Sequence, residues 1–117
     1  VRTVPEVVAV PRGSLPTEYP YPVQIVRLGP DFTMVTLGGE VVVDYSLRLK
    51  REIKDKIVWL AGYSNDVMAY IPSLRIWQEG GYEGGGAMRY GSHPSRWNDQ
   101  VEEQIISTVH EMRKALP

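Results

Sequence analysis

The sequence predicts an α/β fold: a mixed sheet with packed helices, a β-hairpin first and a long C-terminal helix. Three observations carry that expectation. Two β-branched, apolar runs, Val23–Leu28 and Phe32–Leu37, flank a Gly29-Pro30-Asp31 turn. Tyr45, Leu49 and Ile53 recur at helical spacing and give way to the continuous apolar run Ile57–Ala61, the order of a helix followed by a strand. Val101, Ile105, Val109, Met112 and Leu116 form one stripe near the end of the chain.

Length and charge bound the rest. A chain of 117 residues fits one domain and can bury roughly two-thirds of its unfolded surface, so its core needs no metal or disulfide. Thirteen basic against fourteen acidic side chains leave no cationic excess for phosphates, which disfavours nucleic acid as a partner. No run approaches the ~18 apolar residues of a membrane span. The absence of cysteine removes disulfides, thiolate metal sites and thiol nucleophiles. A first residue of Val1, with no basic-then-apolar leader, reads as an excised or processed piece.

Taken in order, residues 1–22 hold five of the nine prolines and read as an extended, proline-rich arm, with Val7–Val10 an edge strand. The stretch Pro16–Pro22 (PTEYPYP) is expected to be neither a central strand nor a helix interior. Residues 23–117 then form a single α/β domain. After the hairpin, Gly38-Gly39-Glu40 breaks the strand pattern with a sharp turn. A helix is expected from Val42 to Lys56, its basic side chains Arg48, Lys50, Arg51 and Lys54 lying on a solvated face. Ile57–Ala61 should be a buried strand. The loop-forming cluster Gly62–Asp66 would lie at its carboxyl end, where open α/β sheets place ligands. Pro72 opens a short helix over Ser73–Glu79, ended by Gly80-Gly81, and Asn98 or Asp99 caps the last helix.

Candidate chemistry is sparse. Gly80–Gly86 matches no phosphate-loop motif and reads as a loop holding Tyr82 and Glu83 near a pocket. His93 and His110, on different elements, read as surface or hydrogen-bonded histidines. Glu40 has two open readings: a carboxylate stabilising the next helix through its dipole, or a metal ligand or general base fixed at a strand end. Tyr63, Tyr70 and Tyr82 crowd the same region, where a phenol could ligate a metal or donate to an oxyanion.

Five segments in order, GGE (Gly38–Glu40), LRLKRE (Leu47–Glu52), VWLAGYSNDVMAYIPS (Val58–Ser73), GGYEGG (Gly80–Gly85) and YGSH (Tyr90–His93), carry a resemblance. Over roughly residues 23–100 the chain resembles the neutral/alkaline non-lysosomal ceramidase family. Members are zinc amidases that cleave the N-acyl bond of ceramide to a sphingoid base and a fatty acid. Two histidines, a glutamate and a tyrosine hold the Zn2+. The resemblance implies that Glu40 and Tyr70 are metal ligands and that Tyr82 is a second active-site tyrosine. It implies metal-assisted hydrolysis of a ceramide-like lipid amide, and secretion or a periplasmic location. The family's histidines, and the serine and arginine of its active site, belong upstream of these motifs. The chain is therefore expected to be the C-terminal part of a catalytic domain, inactive and without retained zinc when isolated, with the rest of that domain as its partner.

Two departures stand out: Val41-Val42 where the family commonly has Thr-Thr, and Leu47-Arg48-Leu49 where it has Gly-Arg-Arg. They leave room for a same-fold hydrolase of another amide or ester. A non-catalytic α/β binding module is the alternative from another functional class.

Overall fold

A computed structural model describes residues 2–8, 18–90 and 96–117. Its main sheet has four strands in the order β1 (Arg2–Val8), β2 (Glu18–Leu28), β3 (Phe32–Leu37) and β5 (Ile57–Ala61). The first three run antiparallel to their neighbours, whereas β5 lies parallel to β3 after a crossover through helix α1 (Val43–Glu52). A separate parallel pair joins β4 (Glu40–Val41) to β6 (Tyr70–Ile71). Helix α2 (Leu74–Glu79), a 3-10 turn (Gly86–Tyr90) and helix α3 (Val101–Lys114) complete the chain. The mixed sheet, the hairpin and the long last helix are as the sequence predicts.

One face of the sheet carries the core. Val23, Val35 and Leu37 alternate on that face and are fully buried together with Tyr45 and Leu49 of α1 and Val101, Ile105 and Val109 of α3. Alternation of period two meets helical stripes of period 3.6, which is how a sheet face and two helices close one core. The predicted stripe of α3 is the buried one, although the helix ends at Lys114, short of Leu116.

Several expectations are corrected. Both Pro20 and Pro22 lie inside β2, and the boundary drawn at residue 22 falls within that strand. The prolines fit because β3 pairs with β2 only from Val23 onward. Gly38 donates its N–H to the Pro22 carbonyl (3.1 Å), but Pro22 has no N–H to return. The Gly38 carbonyl is satisfied instead by the Tyr21 hydroxyl at 2.6 Å. The early strand spans Arg2–Val8 instead of Val7–Val10, whose last two residues lie outside the described ones.

The first helix stops at Glu52, four residues before Lys56. Ile53 is already extended, and Asp55 is committed to Arg113 and Thr33. Arg48 is not merely solvated, since it ion-pairs with Glu52, Glu102 and Glu103 across to α3. Strand β5 is an edge strand with Ile57 and Trp59 exposed, not a buried one, because an apolar run does not specify its place in a sheet. Neither Asn98 nor Asp99 caps α3. Gln100 holds that position, and the Asn98 side chain accepts from its N–H one turn earlier. At α2, Ser73 is the cap, accepting from the Ile76 N–H at 3.3 Å.

Candidate functional site

The site begins with Gly38-Gly39. Gly39 has φ +68, and a Cβ there would sit 2.7 Å from the Ala69 carbonyl oxygen. Only glycine lets the chain leave β3 at this angle and approach the β6 segment so closely. Gly39 donates to the Asp66 carbonyl (2.8 Å) and Glu40 to the Ala69 carbonyl (2.9 Å). Those bonds set the register in which Glu40 stands opposite Tyr70. In adjacent strands, register partners project to the same face. The two residues the resemblance assigns to the metal, thirty positions apart in the sequence, are thus cross-strand neighbours.

Tyr82 joins them. Its ring meets that of Tyr70 edge-to-face, with centroids 5.3 Å apart. The glycine-rich turn makes this approach possible, since a Cβ on Gly84 would lie 2.3 Å from the Gly80 carbonyl and 2.6 Å from that of Ile76. The loop is folded onto the end of α2 and passes into the 3-10 turn, which holds Tyr82 and Glu83 beside Tyr70.

The fourth member is Tyr63, on the loop after β5. Burial, then hydrogen bonding to Glu40, raises the Tyr70 phenol. Tyr63 is pushed up to about 12, chiefly by hydrogen bonding to Glu40. An acceptor carboxylate stabilises the neutral phenol, which is the direction seen in both. Glu40 thus lies near tyrosines from two segments, and Tyr82 completes an aromatic wall that is 56% exposed at its outer residue.

The scaffold beneath is tied down by buried donors. Trp97, 1% exposed, donates its indole N–H to the Tyr70 carbonyl (2.8 Å), and the buried Tyr45 hydroxyl donates to the Pro72 carbonyl (2.9 Å). The Tyr19 hydroxyl donates to the Asp66 carboxylate, holding the loop that carries Tyr63. Sequence reading noticed Tyr63 only as a neighbour and missed Tyr19 and Trp97 altogether. Their signal is tertiary, apart from the turn-forming Gly-Tyr-Ser-Asn context of Tyr63.

His110 is hydrogen-bonded to Glu52 at 2.7 Å, away from this site. His93 lies outside the described residues. Among the described residues no three His, Cys, Asp or Glu side chains meet as a metal cluster. The donor set at Glu40 is a hard carboxylate with adjacent phenol oxygens, which suits zinc as part of a four-ligand shell.

No family model, no curated protein and no solved structure matches the chain. No helix among the described residues is long and apolar enough to cross a membrane.

Proposed function

We propose that the chain is the C-terminal part of the catalytic domain of a zinc-dependent amidohydrolase resembling the neutral ceramidases, acting on a ceramide-like lipid amide. The observation that supports this reading is the meeting of Glu40, Tyr70 and Tyr82 from three separate motifs. Glu40 and Tyr70 would hold the ion, with histidines from the rest of the catalytic domain completing the shell. Zinc bound there would lower the pKa of water from ~15.7 toward ~7 and polarise the amide carbonyl. The Tyr82 hydroxyl, on an exposed ring set edge-to-face against Tyr70, would donate to the developing oxyanion of the amide. Its role is one of position, because a donor fixed before the reaction costs no reorganisation during it.

Zinc stoichiometry of the full-length protein tests this. About one zinc per chain is expected in the wild type, with loss or sharp weakening in Glu40→Gln. Zinc content indifferent to Glu40 would refute the assignment. Tyr82→Phe should retain zinc and lose about 10²–10³ in kcat on an N-acyl substrate, the usual worth of one oxyanion donor. Activity confined to a different amide or an ester would keep the site and change the substrate.

One observation favours a second reading. Leu28, Ile57 and Trp59 are 65%, 50% and 61% exposed on the sheet face opposite the core, with Phe32 and Met34 in register between them. An apolar face of this kind suits a non-catalytic α/β module that binds a partner. A full-length protein with no zinc in the wild type would favour it.

A further inference from the structure

We infer that the outward face of α1 docks on an anionic lipid bilayer: Lys50, Arg51 and Lys54 meet the headgroups, while Val43, Leu47 and the neighbouring Leu74 enter the interface. The inference goes beyond the zinc reading, which gives this face no role, and stands without it.

Charge segregation supplies the first argument. Residues 50–56 (KREIKDK) mix four cations with two carboxylates, and the fold sorts them by sign. Glu52 is turned toward α3, where it meets His110 at 2.7 Å and shares Arg48 with Glu102 and Glu103. Asp55 is held by Arg113 of the same helix. Among the described residues, Lys50, Arg51 and Lys54 form no ion pair, and all three are exposed. Lys54 folds back to donate to the Arg51 carbonyl (2.8 Å), which keeps its charge beside the last turn. Positive charge left over on one face draws in a surface of the opposite sign.

Helical spacing supplies the second. Val43, Leu47, Lys50, Arg51 and Lys54 follow one another along a single face, and each is exposed, whereas Tyr45 and Leu49 opposite them are fully buried. The helix dipole accounts for cations near its C-terminus. It gives no reason for Val43 and Leu47, one turn apart on that same face, to be 65% and 60% exposed. Aliphatic and basic side chains together suit an anionic bilayer, where the cations reach the phosphates and the aliphatic groups leave water.

The third argument is the hollow beside this stripe. Leu47 and Arg51, with Ser73 and Arg75, line an open cavity of about 280 Å³. Its carboxylates are already engaged: Asp44 accepts from Ser73 and Arg75, and Glu102 from Arg48 and the Leu74 N–H. Arg51 is thus the lining cation left for a headgroup. Leu74, between Ser73 and Arg75 and 42% exposed, continues the aliphatic surface onto α2. Nucleic acid fits less well, because the stripe carries no aromatic ring on which a base could stack.

The test is co-sedimentation of the full-length protein with vesicles of phosphatidylcholine alone and of an equal mixture with phosphatidylserine. Preference for the mixed vesicles, weakened by salt, is expected. One cation near an anionic surface is worth about 5-fold, so Lys50→Gln/Arg51→Gln should weaken binding about 25-fold. The charge-preserving Lys50→Arg/Arg51→Lys should bind as wild type. So should Arg89→Gln, which removes an exposed cation from the 3-10 turn. Val43→Ser/Leu47→Ser should weaken vesicle binding several-fold at unchanged charge. All these residues are exposed, so unfolding midpoints should stay near wild type. No preference for phosphatidylserine, or wild-type binding by Lys50→Gln/Arg51→Gln, would overturn the inference. Polyglutamate bound as tightly as the vesicles, with Val43→Ser/Leu47→Ser without effect on either, would replace the bilayer by an acidic polypeptide. Glu40→Gln should bind vesicles as wild type whether or not it loses zinc, so the two readings fail separately.

Discussion

The two sheets of this molecule are held in opposite ways. The four-stranded sheet is secured by area: Val23, Val35 and Leu37 are fully buried against α1 and α3, in a pattern that repeats along each strand. The β4–β6 pair has only two residues per strand, and Glu40, Val41 and Tyr70 are only partly buried. It is secured by specific bonds, from Trp97, from Asp66 and from a glycine that alone fits its turn. Burial is non-directional and sets stability, whereas hydrogen bonds are directional and set position. A site that must hold Glu40 opposite Tyr70 needs the second kind of support, built on the first.

Trp97 belongs to both regions, and its removal should have the largest effect. Trp97→Ala is expected to cost about 3–5 kcal/mol in urea unfolding, from the cavity and the orphaned Tyr70 carbonyl together. A loss well under 2 kcal/mol would mean that the indole is not the link between the regions. Gly39→Ala comes next, at more than about 2 kcal/mol, because it combines a positive φ with a clash against the Ala69 backbone. Its effect should centre on the β4–β6 pair, so faster amide exchange at Glu40 and Val42 than in the β2–β3 ladder is the signature.

Acid probes the link between sheet and helix. Hydrogen bonds from Arg113 and Thr33 hold the Asp55 carboxyl below the usual carboxylate range. A carboxyl depressed on folding contributes stability that is complete above its unfolded value of about 3.9 and drains as pH falls through the folded one. Stability should therefore decline below about pH 4. Asp55→Asn should reduce that slope, at a cost of about 1–3 kcal/mol near neutrality. The slope should not vanish, because hydrogen bonds from Arg75 and Ser73 also hold Asp44 low. The smallest change is expected on the face that carries the exposed Leu28, Ile57 and Trp59, where Trp59→Thr should alter stability by no more than about 0.5 kcal/mol. A larger loss would show that this face is packed in the native protein.

Elements whose cause is local were legible in the residues. The hairpin follows from two β-branched runs and a turn, the last helix from a single stripe, and the break after Leu37 from two glycines. Proline in β2 was misread because the rule against it concerns strands paired on both sides. Pro20 and Pro22 lie where β3 has not yet joined, which no property of those residues reveals. The exposure of Trp59 was equally hidden, since an apolar run is the same in a central or an edge strand. At the site, Glu40, Tyr70 and Tyr82 could be named from motifs resembling a known family. Tyr19 and Trp97 act through contacts with residues 47 and 27 positions away and Tyr63 stands out by a single φ angle, and periodicity carries no trace of either.

The sequence by itself determined the fold class, the order of its principal elements, and which glycines and tyrosines could bear chemistry, because turn preference and hydrophobic period are properties of neighbouring residues. Only the tertiary structure decided that Glu40 stands opposite Tyr70, that Tyr82 packs against that tyrosine, and that Ile57 and Trp59 of β5 are exposed. Register and burial are settled between segments distant in the chain, where the free energy of packing the whole outweighs the preference of any part.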